Sequence, residues 1–249
     1  MLNLNEIHHG DCLELMRHIP NGSVDMILCD LPYGTTACKW DTIIPFDKLW
    51  EQYERIIKPN GAIVLTAVQP FTSALVMSNP KLFKCEWIWH KTKATNYVKA
   101  RQMPMKYHES VLVFGKKAVT YNPEMEVGKP YVKVTKSTAS ETAIFKDTRP
   151  VGSANVNHGE RFPSSIQKIG NPNNGSLHPT QKPVALFEYL IRTYTNPGEV
   201  VLDNCAGSFT TAVAAENTGR RWICIEQEAK YCDIGRARLA ARQPLLFAA

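Results

Sequence analysis

The stretch VDMILCDLPYG, residues Val24–Gly34, joins a continuous apolar run to an abrupt polar turn. An apolar run bounded by turn residues predicts a strand buried on both faces, as in a parallel α/β sheet. Asp30 follows that strand, and Pro32 and Gly34 stiffen and fold the loop behind it. Ligands of open α/β sheets bind outside the carboxyl ends of the strands. Asp30 is therefore a candidate functional residue, although an ordinary strand-to-loop turn has the same pattern.

The flanking segments alternate between helix and strand patterns. Apolar residues in Pro45–Ile57 recur with a helical spacing, and Ala62–Thr66 reads as a buried strand. Right-handed crossover makes the strands on either side of that helix parallel. The same patterns predict helix 70–77, strand 85–91, strand 107–116, a helix beginning at Pro183, strand 200–204, a helix through Ala215, strand 222–226 and helix 228–242.

The positive charge of the chain is concentrated in its middle. The 249 residues carry a net charge of +6, and residues 90–182 hold 15 Lys and Arg against 6 Asp and Glu. A basic segment within a near-neutral scaffold suits an insert that neutralises phosphates, although a solvated Lys-rich surface has the same count. Residues 117–177 also lack regular periodicity. We therefore expect one large α/β domain with a basic recognition insert.

Other classes of protein are disfavoured by composition. No apolar run approaches the roughly 18 to 20 residues of a membrane span, and the amino terminus lacks the pattern of a signal peptide. The seven cysteines form no Cys-x-x-Cys pair, which argues against structural zinc and a disulfide framework. We expect a cytoplasmic protein with reduced cysteines and no metal site.

A complete strand–turn–helix–strand unit occupies Val200–Glu226. Its strands end on Asp203 and Glu226, and the small-residue turn Cys205–Ser208 opens the helix. In nucleoside-binding sheets such a turn lets the backbone approach the ligand, and an acid about 20 residues on accepts the ribose hydroxyls. No G-x-G-x-x-G fingerprint or phosphate-binding Lys-Ser or Lys-Thr loop is present, which disfavours dinucleotides and triphosphates. The pattern fits S-adenosylmethionine, which carries no phosphate.

Four motifs resemble those of the amino-group DNA methyltransferases. Asp30-Leu31-Pro32-Tyr33 resembles their D-P-P-Y motif, with Leu31 in place of Pro. Residues 203–211 (DNCAGSFTT) resemble the D-P-F-x-G-S-G-T-T signature, residues 178–183 (HPTQKP) the H-P-T-x-K-P signature, and residues 10–12 (GDC) the G-D-C/S motif. The Asp30 motif precedes the insert and the Asp203 motif follows it, which is the order of the circularly permuted β class.

This resemblance implies a Rossmann-like S-adenosylmethionine-dependent methyltransferase sheet, mostly parallel with one antiparallel strand. Residues 1–92 would form the catalytic half of the α/β domain and residues 178–242 its cofactor-binding half. Residues 93–177 would form the basic target-recognition insert, with a sheet strand near 108–116, and residues 243–249 a tail.

The resemblance also implies the residues of a cofactor site. Asp203, Gly207 and Ser208 would line the methionine end of the cofactor, and Glu226 would bind its ribose. Asp11 and Cys12 would lie at the adenine, and Thr180 and Lys182 near the carboxylate, although a plain helix start also accounts for the last two. With Asp30, the implied cofactor-binding residues are Asp11, Cys12, Asp30, Thr180, Lys182, Asp203, Gly207, Ser208 and Glu226.

Three positions depart from the D-P-F-x-G-S-G-T-T signature: Asn204 replaces Pro, Cys205 replaces Phe, and Phe209 replaces the second Gly. The first two are conformational details. Phe209 is expected to place a large ring where the backbone of the family approaches the cofactor.

The implied reaction is methylation of the N6 amine of adenine in a base flipped out of the duplex. Asp30, Pro32 and Tyr33 are the catalytic candidates: Tyr33 stacks on the base, and Asp30 orients the amine together with the carbonyl of Leu31 or Pro32. Carbon-5 cytosine chemistry needs a thiolate presented after a proline, and no Pro-Cys pair occurs. The alternatives are cytosine-N4 methylation, an inactive methyltransferase-like module that binds nucleic acid, and an RNA or protein substrate.

Double-stranded DNA is the expected partner. Homodimerisation, frequent among relatives, and an accompanying restriction enzyme are left open by the sequence. Gln243–Phe247 resembles the Q-x-x-L-F peptides that dock on bacterial sliding clamps, although a tail packed on its own domain is the alternative.

Overall fold

The computed structural model describes residues 1–36, 38, 41–135, 152–171 and 181–242. The chain divides into two compact units, Met1–Asn122 with Ser165–Ala249, and Pro123–Ser164. Thr180 and the tail segment Gln243–Phe247 lie outside the described residues, so the clamp-binding hypothesis stays a prediction.

The larger unit is built on one eight-stranded sheet. Its strands are β1 (Glu6–His9), β2 (Val24–Cys29), β3 (Ile57–Ala67), β4 (Phe83–His90), β5 (His108–Phe114), β10 (Ile166–Lys168), β11 (Val200–Asp203) and β12 (Arg221–Glu226). The strand order is β1-β12-β11-β2-β3-β5-β4-β10, and every neighbouring pair is parallel except the two that involve β5. The predicted Rossmann-like sheet, mostly parallel with one antiparallel strand, is confirmed.

Helices cover both faces of this sheet. They are α1 (Cys12–Met16), α2 (Phe46–Ile56), α3 (Phe71–Ser78), α4 (Val184–Tyr194), α5 (Thr210–Asn217) and α6 (Ala229–Ala240), with a 3-10 turn at Tyr97–Lys99. Successive side chains of a strand point to opposite faces. Ile27 and Cys29 accordingly join the core under α2 and α3, whereas Met26 and Leu28 join the core under α4 and α5. This two-sided burial explains the continuous apolar run of β2.

The order of the strands reverses between β2 and β11. The chain continues from β2 to β3 on one side and from β11 to β12 on the other, and β2 and β11 are neighbours. Such a switch point opens a crevice at the carboxyl ends of the two strands. Asp30 directly follows β2, and Asp203 ends β11.

Two features of the sheet differ from the sequence prediction. The strand predicted at 62–66 begins at Ile57, because the chain stays extended through Pro59–Gly61. At Gly61 a Cβ atom would lie 2.7 Å from the carbonyl of Asp25, so a side chain there would separate the two strands. The short strand β10 was not predicted, because it has only three residues, of which only Ile166 is apolar and two are exposed.

The smaller unit contains two antiparallel pairs of short strands. They are β6 (Glu126–Val127) with β9 (Glu160–Arg161), and β7 (Tyr131–Val134) with β8 (Ala154–Asn157). Almost all of their side chains are exposed. The unit is shorter than the insert predicted at 93–177, because residues 93–122 and 165–171 belong to the larger unit. In the described part of the chain, no helix is long and apolar enough to cross a membrane.

Candidate functional site

A cavity of about 890 Å³ lies at the switch point of the sheet. The loop after β2 contributes Asp30, Leu31, Pro32 and Tyr33 to its wall. The turn after β11 and the end of β12 contribute Asp203, Gly207, Ser208 and Glu226. Asp11, Cys12 and Lys182 complete the set of described residues that the sequence singled out. Positions separated by up to 215 residues in sequence thus share one cavity, whereas Thr180 lies outside the described residues.

The Asp30 carboxylate is held on both oxygens. Its Oδ1 atom accepts hydrogen bonds from the Thr66 and Tyr33 hydroxyls, each at 2.5 Å. Its Oδ2 atom accepts one from the Lys182 ammonium at 2.7 Å. A carboxylate oxygen has two lone-pair sites, so Oδ2 keeps capacity for one further donor. The carboxylate is therefore fixed in direction and can still accept a hydrogen bond from a ligand.

Tyr33 is tied to Asp30 and packed against its surroundings. Its ring centroid lies 5.1 Å from that of Phe71, and the Lys182 ammonium lies 5.6 Å from the Tyr33 ring centroid. Burial and the charge of Asp30 raise the pKa of Tyr33, so the phenol keeps its proton and donates a hydrogen bond to the carboxylate. Stacking of a base on this ring stays a prediction.

A buried chain of alternating charges continues from Asp30 into the wall of the cavity. Lys182 lies between Asp30 and Glu109, with 3.4 Å from its Nζ to Oε2 of Glu109, and Glu109 also pairs with Lys91. The Lys182 side chain is 6% exposed and that of Lys91 4%. Burial favours the neutral amine of Lys182, but the two carboxylates outweigh it and raise its pKa. Lys182 is therefore a cation throughout the neutral pH range.

Three residues of the site, Thr66, Lys91 and Glu109, were not predicted from the sequence. All three lie at or near the ends of sheet strands, and Glu109 pairs with Trp89 across the antiparallel β4–β5 ladder. One signal was available: the predicted strand 85–91 ends on Lys91, and the predicted strand 107–116 has Glu109 as its third residue. Antiparallel pairing brings those two ends together, but the pairing itself had not been derived.

Asp203 is held from the protein side. Its Oδ2 atom accepts a hydrogen bond from the Thr211 hydroxyl at 2.5 Å, and its Oδ1 atom one from the Cys205 amide at 3.0 Å. These hydrogen bonds lower the pKa of Asp203, but the effect of burial is larger and raises it to about 7. The carboxyl group therefore changes its charge near neutral pH.

Glu226 is anchored by backbone amides. Its Oε2 atom accepts a hydrogen bond from Gly207 N and its Oε1 atom one from Glu228 N, both at 2.8 Å. Burial raises the pKa of Glu226 despite these bonds. Gly207 has φ of +50°, the left-handed region that favours glycine. The conformation of this turn thus directs an amide at Glu226, and the carboxylate, with about four lone-pair sites, keeps capacity for a ligand donor.

Asp11 and Cys12 lie at the start of α1. The Asp11 side chain caps the helix by accepting from the Glu14 amide at 3.0 Å. A hydrogen bond with the Cys205 thiol lowers the pKa of Cys12 despite burial. Asn204, which directly precedes Cys205, accepts a hydrogen bond of 2.6 Å from the buried Tyr53 hydroxyl. Cys205 and Asn204, which replace the Phe and Pro of the signature, thus make polar contacts with α1 and α2, respectively.

The expectation for Phe209 is corrected by the structure. Phe209 has φ of +60°, a conformation suited to the glycine of the signature, but its fully buried ring lies in the core rather than in the cavity wall. Gly235 of α6 provides the space for this ring, because a Cβ atom at position 235 would lie 2.1 Å from it. The large ring therefore does not fill the cavity.

We expect Gly235→Ala to lower the free energy of unfolding by about 1–3 kcal/mol, because the added methyl overlaps the Phe209 ring. Urea denaturation would measure the loss. Phe209→Leu combined with Gly235→Ala should recover part of it, since the smaller side chain relieves the overlap. A neutral Gly235→Ala variant would contradict this packing.

Among the described residues, no cluster of His, Cys, Asp and Glu has an arrangement that could hold a metal ion. The cavity instead combines one fixed carboxylate at the end of β2 with two anchored acids at the ends of β11 and β12. Such a set can bind a polar ligand with hydroxyl and amino groups beside a second group that donates to Asp30.

Comparison with known families places the whole α/β unit in context. The profile of a family described as DNA methylase matches residues 24–237. The chain is 31% identical to the DNA adenine methyltransferase YhdJ of Escherichia coli K12, over 94% of this chain and 82% of that protein. It is 30% identical to the type II methyltransferase M1.MboII of Moraxella bovis, over 93% of this chain and 95% of the relative.

Solved structures have the same fold at lower identity. A complex of M1.HpyAVI with SAM superposes with a TM-score of 0.61 at 24% identity, covering 94% of this chain and 98% of the other. The cytosine-N4-specific PvuII DNA methyltransferase superposes with a TM-score of 0.67 at 18% identity, covering 94% and 85%.

Proposed function

The chain belongs to the DNA methylase family of N6 and N4 methyltransferases, and from that membership we propose that it methylates the N6 amine of adenine in double-stranded DNA. The observation that carries the proposal is the Asp30 carboxylate, fixed at the end of β2 and sharing one cavity with Asp203, Gly207 and Glu226. The Asp30 carboxylate, which can orient an amine, thus shares a cavity with Asp203 and Glu226, two acids that can bind a nucleoside.

S-adenosylmethionine is the methyl donor in this proposal, and the residues present fit it. Glu226 keeps lone-pair capacity for a ribose hydroxyl, and the turn at Gly207 permits a close approach of the backbone. Asp203 and Asp30 supply negative charge for its cationic groups. When bound, S-adenosylmethionine supplies a methyl group already activated by the sulfonium.

The chemistry asked of the protein is orientation and charge stabilisation. The lone pair of an adenine amine is delocalised into the ring, so the amine is a poor nucleophile that must be aligned with the methyl group. We assign this role to Oδ2 of Asp30 and the carbonyl of Leu31 or Pro32, which accept the two amine hydrogens. Thr66 and Lys182 hold the carboxylate in place. Its charge then stabilises the positive charge that develops on the amine.

Asp30 orients the amine and is not required as a strong base in this proposal. Lys182 donates to Oδ2 of Asp30 at 2.7 Å and holds this oxygen in place as a hydrogen-bond acceptor for the amine. The amine becomes acidic once it is methylated and can release its proton to solvent.

Adenine is preferred over cytosine because the motif begins with Asp30, whereas the cytosine-N4 members that it resembles usually begin with Ser. The name of the Escherichia coli relative supports the same base. Cytosine-N4 methylation is the alternative. The hypothesis of an inactive binding module loses its main support, because the Phe209 ring lies away from the cavity. A partner restriction enzyme is suggested only by the type II name of the Moraxella relative.

The test is methyl transfer from labelled S-adenosylmethionine to unmethylated plasmid DNA, with the product nucleosides separated by mass. We expect N6-methyladenine as the product. N4-methylcytosine would replace the proposed base by the alternative. A folded protein that transfers no methyl group to any DNA would refute the function.

We expect the affinity for S-adenosylmethionine to rise by roughly tenfold between pH 6 and pH 8, because Asp203 with its pKa of about 7 ionises in this range. The sign follows from the raised pKa: the carboxyl is neutral below it and attracts a cationic ligand only above it. Isothermal titration calorimetry at several pH values would measure the slope.

The matched control for this dependence is Asp25→Asn. Asp25 is also a buried carboxylate, but it pairs with Lys58 and the Val200 amide outside the cavity. Asp25→Asn should keep the slope, and Asp203→Asn should flatten it. An unchanged slope in Asp203→Asn would exclude Asp203 as its origin.

A further inference from the structure

A loop at the rim of the cavity has a built base and a projecting tip. Asn96 closes the base, because its Nδ2 donates to the Pro104 carbonyl at 3.1 Å and its Oδ1 accepts from the Lys106 amide at 2.6 Å. The Thr95 amide adds a bond to the Lys106 carbonyl. We call residues 96–106 the rim loop. Its closed base holds the intervening residues in one preformed projection.

The tip of the rim loop presents apolar side chains to solvent. Tyr97 is 72% exposed and Val98 83% exposed, and both lie in the 3-10 turn Tyr97–Lys99. Met103 and Met105 are exposed on the returning arm. Single exposed apolar residues are ordinary, but several on one short projection are characteristic of an interaction site.

The position and charge of the rim loop identify the kind of partner. Thr95, Asn96 and Lys106 line the wall of the cavity that contains Asp30. Lys99 and Arg101, both exposed, flank the tip. An apolar tip with basic neighbours fits a partner that has stacked rings behind a phosphate backbone, which is double-stranded DNA.

We propose that the rim loop is the wedge that enters the base stack, with Tyr97 and Val98 filling the space from which the target base has left. The inference rests on the proposed function, because a wedge is needed only if the base must reach Asp30. Apolar side chains inserted between base steps stabilise the unstacked duplex. Lys99 and Arg101 hold the phosphates on either side of the opening.

The wedge lowers the cost of opening a paired base, so its removal should matter only when the base is paired. The recognition site comes first, from sequencing of plasmid DNA methylated by the wild type. Two duplexes with that site are then compared, one with the target base paired and one with an abasic site opposite the target. Unpaired targets need little help to leave the stack.

For the Tyr97→Ala, Val98→Ala double variant we expect kcat/KM on the paired duplex to fall by about tenfold or more. On the abasic duplex the loss should be less than about threefold. Met77→Ala is the matched control, since Met77 is equally exposed at 72% but lies on α3 outside the cavity wall. It should leave both rates unchanged.

The possible outcomes distinguish a failure of the wedge proposal from a failure of the proposed function. Equal losses on the two duplexes, or no loss on the paired duplex, would overturn the wedge while the methyl transfer of the wild type still stands. Absence of methyl transfer by the wild type would overturn the proposed function and the wedge with it. Unchanged calorimetric affinity of the double variant for S-adenosylmethionine shows that its fold and cofactor site are intact.

Discussion

Asp30→Asn is expected to lower kcat/KM for DNA methylation by about 100- to 1000-fold. The substitution keeps the size of the side chain but removes the negative charge between Lys182 and the amine of the base. One of the two oxygens that accept from Thr66, Tyr33 and Lys182 becomes a donor, so at least one of these contacts is lost. Steady-state rates with labelled S-adenosylmethionine would measure the loss.

Asp25→Asn is the matched control for this substitution. Asp25 lies near the start of β2, the strand that Asp30 follows, and its carboxylate also pairs with a lysine, Lys58 at 2.6 Å. Asp25→Asn should reduce the free energy of unfolding by about 1–3 kcal/mol and leave kcat/KM within about twofold below the melting temperature. If both variants lose activity equally, damage to β2 rather than loss of a catalytic group would be the cause.

The fold could be predicted from the sequence because its strands are continuous apolar runs followed by polar loops. The run Val24–Cys29 is buried on both faces, and its short, continuous apolar character next to turn residues indicated a strand inside a sheet. The short strand β10 has no such run, and its place beside β4 depends on tertiary contacts. The sequence pattern therefore indicated the central strands of the sheet and did not indicate the edge strand β10.

The candidate site could be predicted where residues follow a strand within a motif. Asp30, Asp203, Gly207 and Glu226 all meet at the predicted crevice, and their individual roles stay predictions. Glu109 has no motif, and its pairing with Lys91 depends on strand register, which a single sequence does not contain.

At Phe209 the comparison with the signature predicted an effect that the structure does not show. A large residue at a glycine position predicted an obstructed cofactor site, because the ring was assumed to point toward the ligand. The backbone keeps the glycine-like conformation, and a second glycine, Gly235, accommodates the ring on the other side. The compensation involves two positions distant in sequence, so only the three-dimensional structure shows it.

Lys182→Met is expected to lower the free energy of unfolding by about 3 kcal/mol, the loss typical when one partner of a buried ion pair is removed. Lys182 is 6% exposed and separates the Asp30 and Glu109 carboxylates, so solvent cannot replace its charge. Arg236→Met is the control, because Arg236 and Asp233 form an exposed pair that should contribute less than about 1 kcal/mol. Urea denaturation would compare the two variants.

The same substitution should change the pH dependence of catalysis. Without the ammonium, the neighbouring Asp30 and Glu109 carboxylates repel each other, which favours protonation of one of them. Since the proposed mechanism needs an ionised Asp30, kcat at saturating cofactor and DNA should fall as the pH is lowered from 8 to 6. The wild type should lack this fall, because the raised pKa of Lys182 keeps the cation in place.

Glu109→Gln in the Lys182→Met background distinguishes an electrostatic role from a packing role. The amide removes one of the two repelling charges, so the double variant should regain roughly 1–3 kcal/mol of stability and lose the pH dependence of kcat. A packing defect at position 182 would not respond to a change of charge at position 109. A pH profile of Lys182→Met identical to that of the wild type would show that Asp30 stays ionised without its lysine, and the buried charge chain would then be structural only.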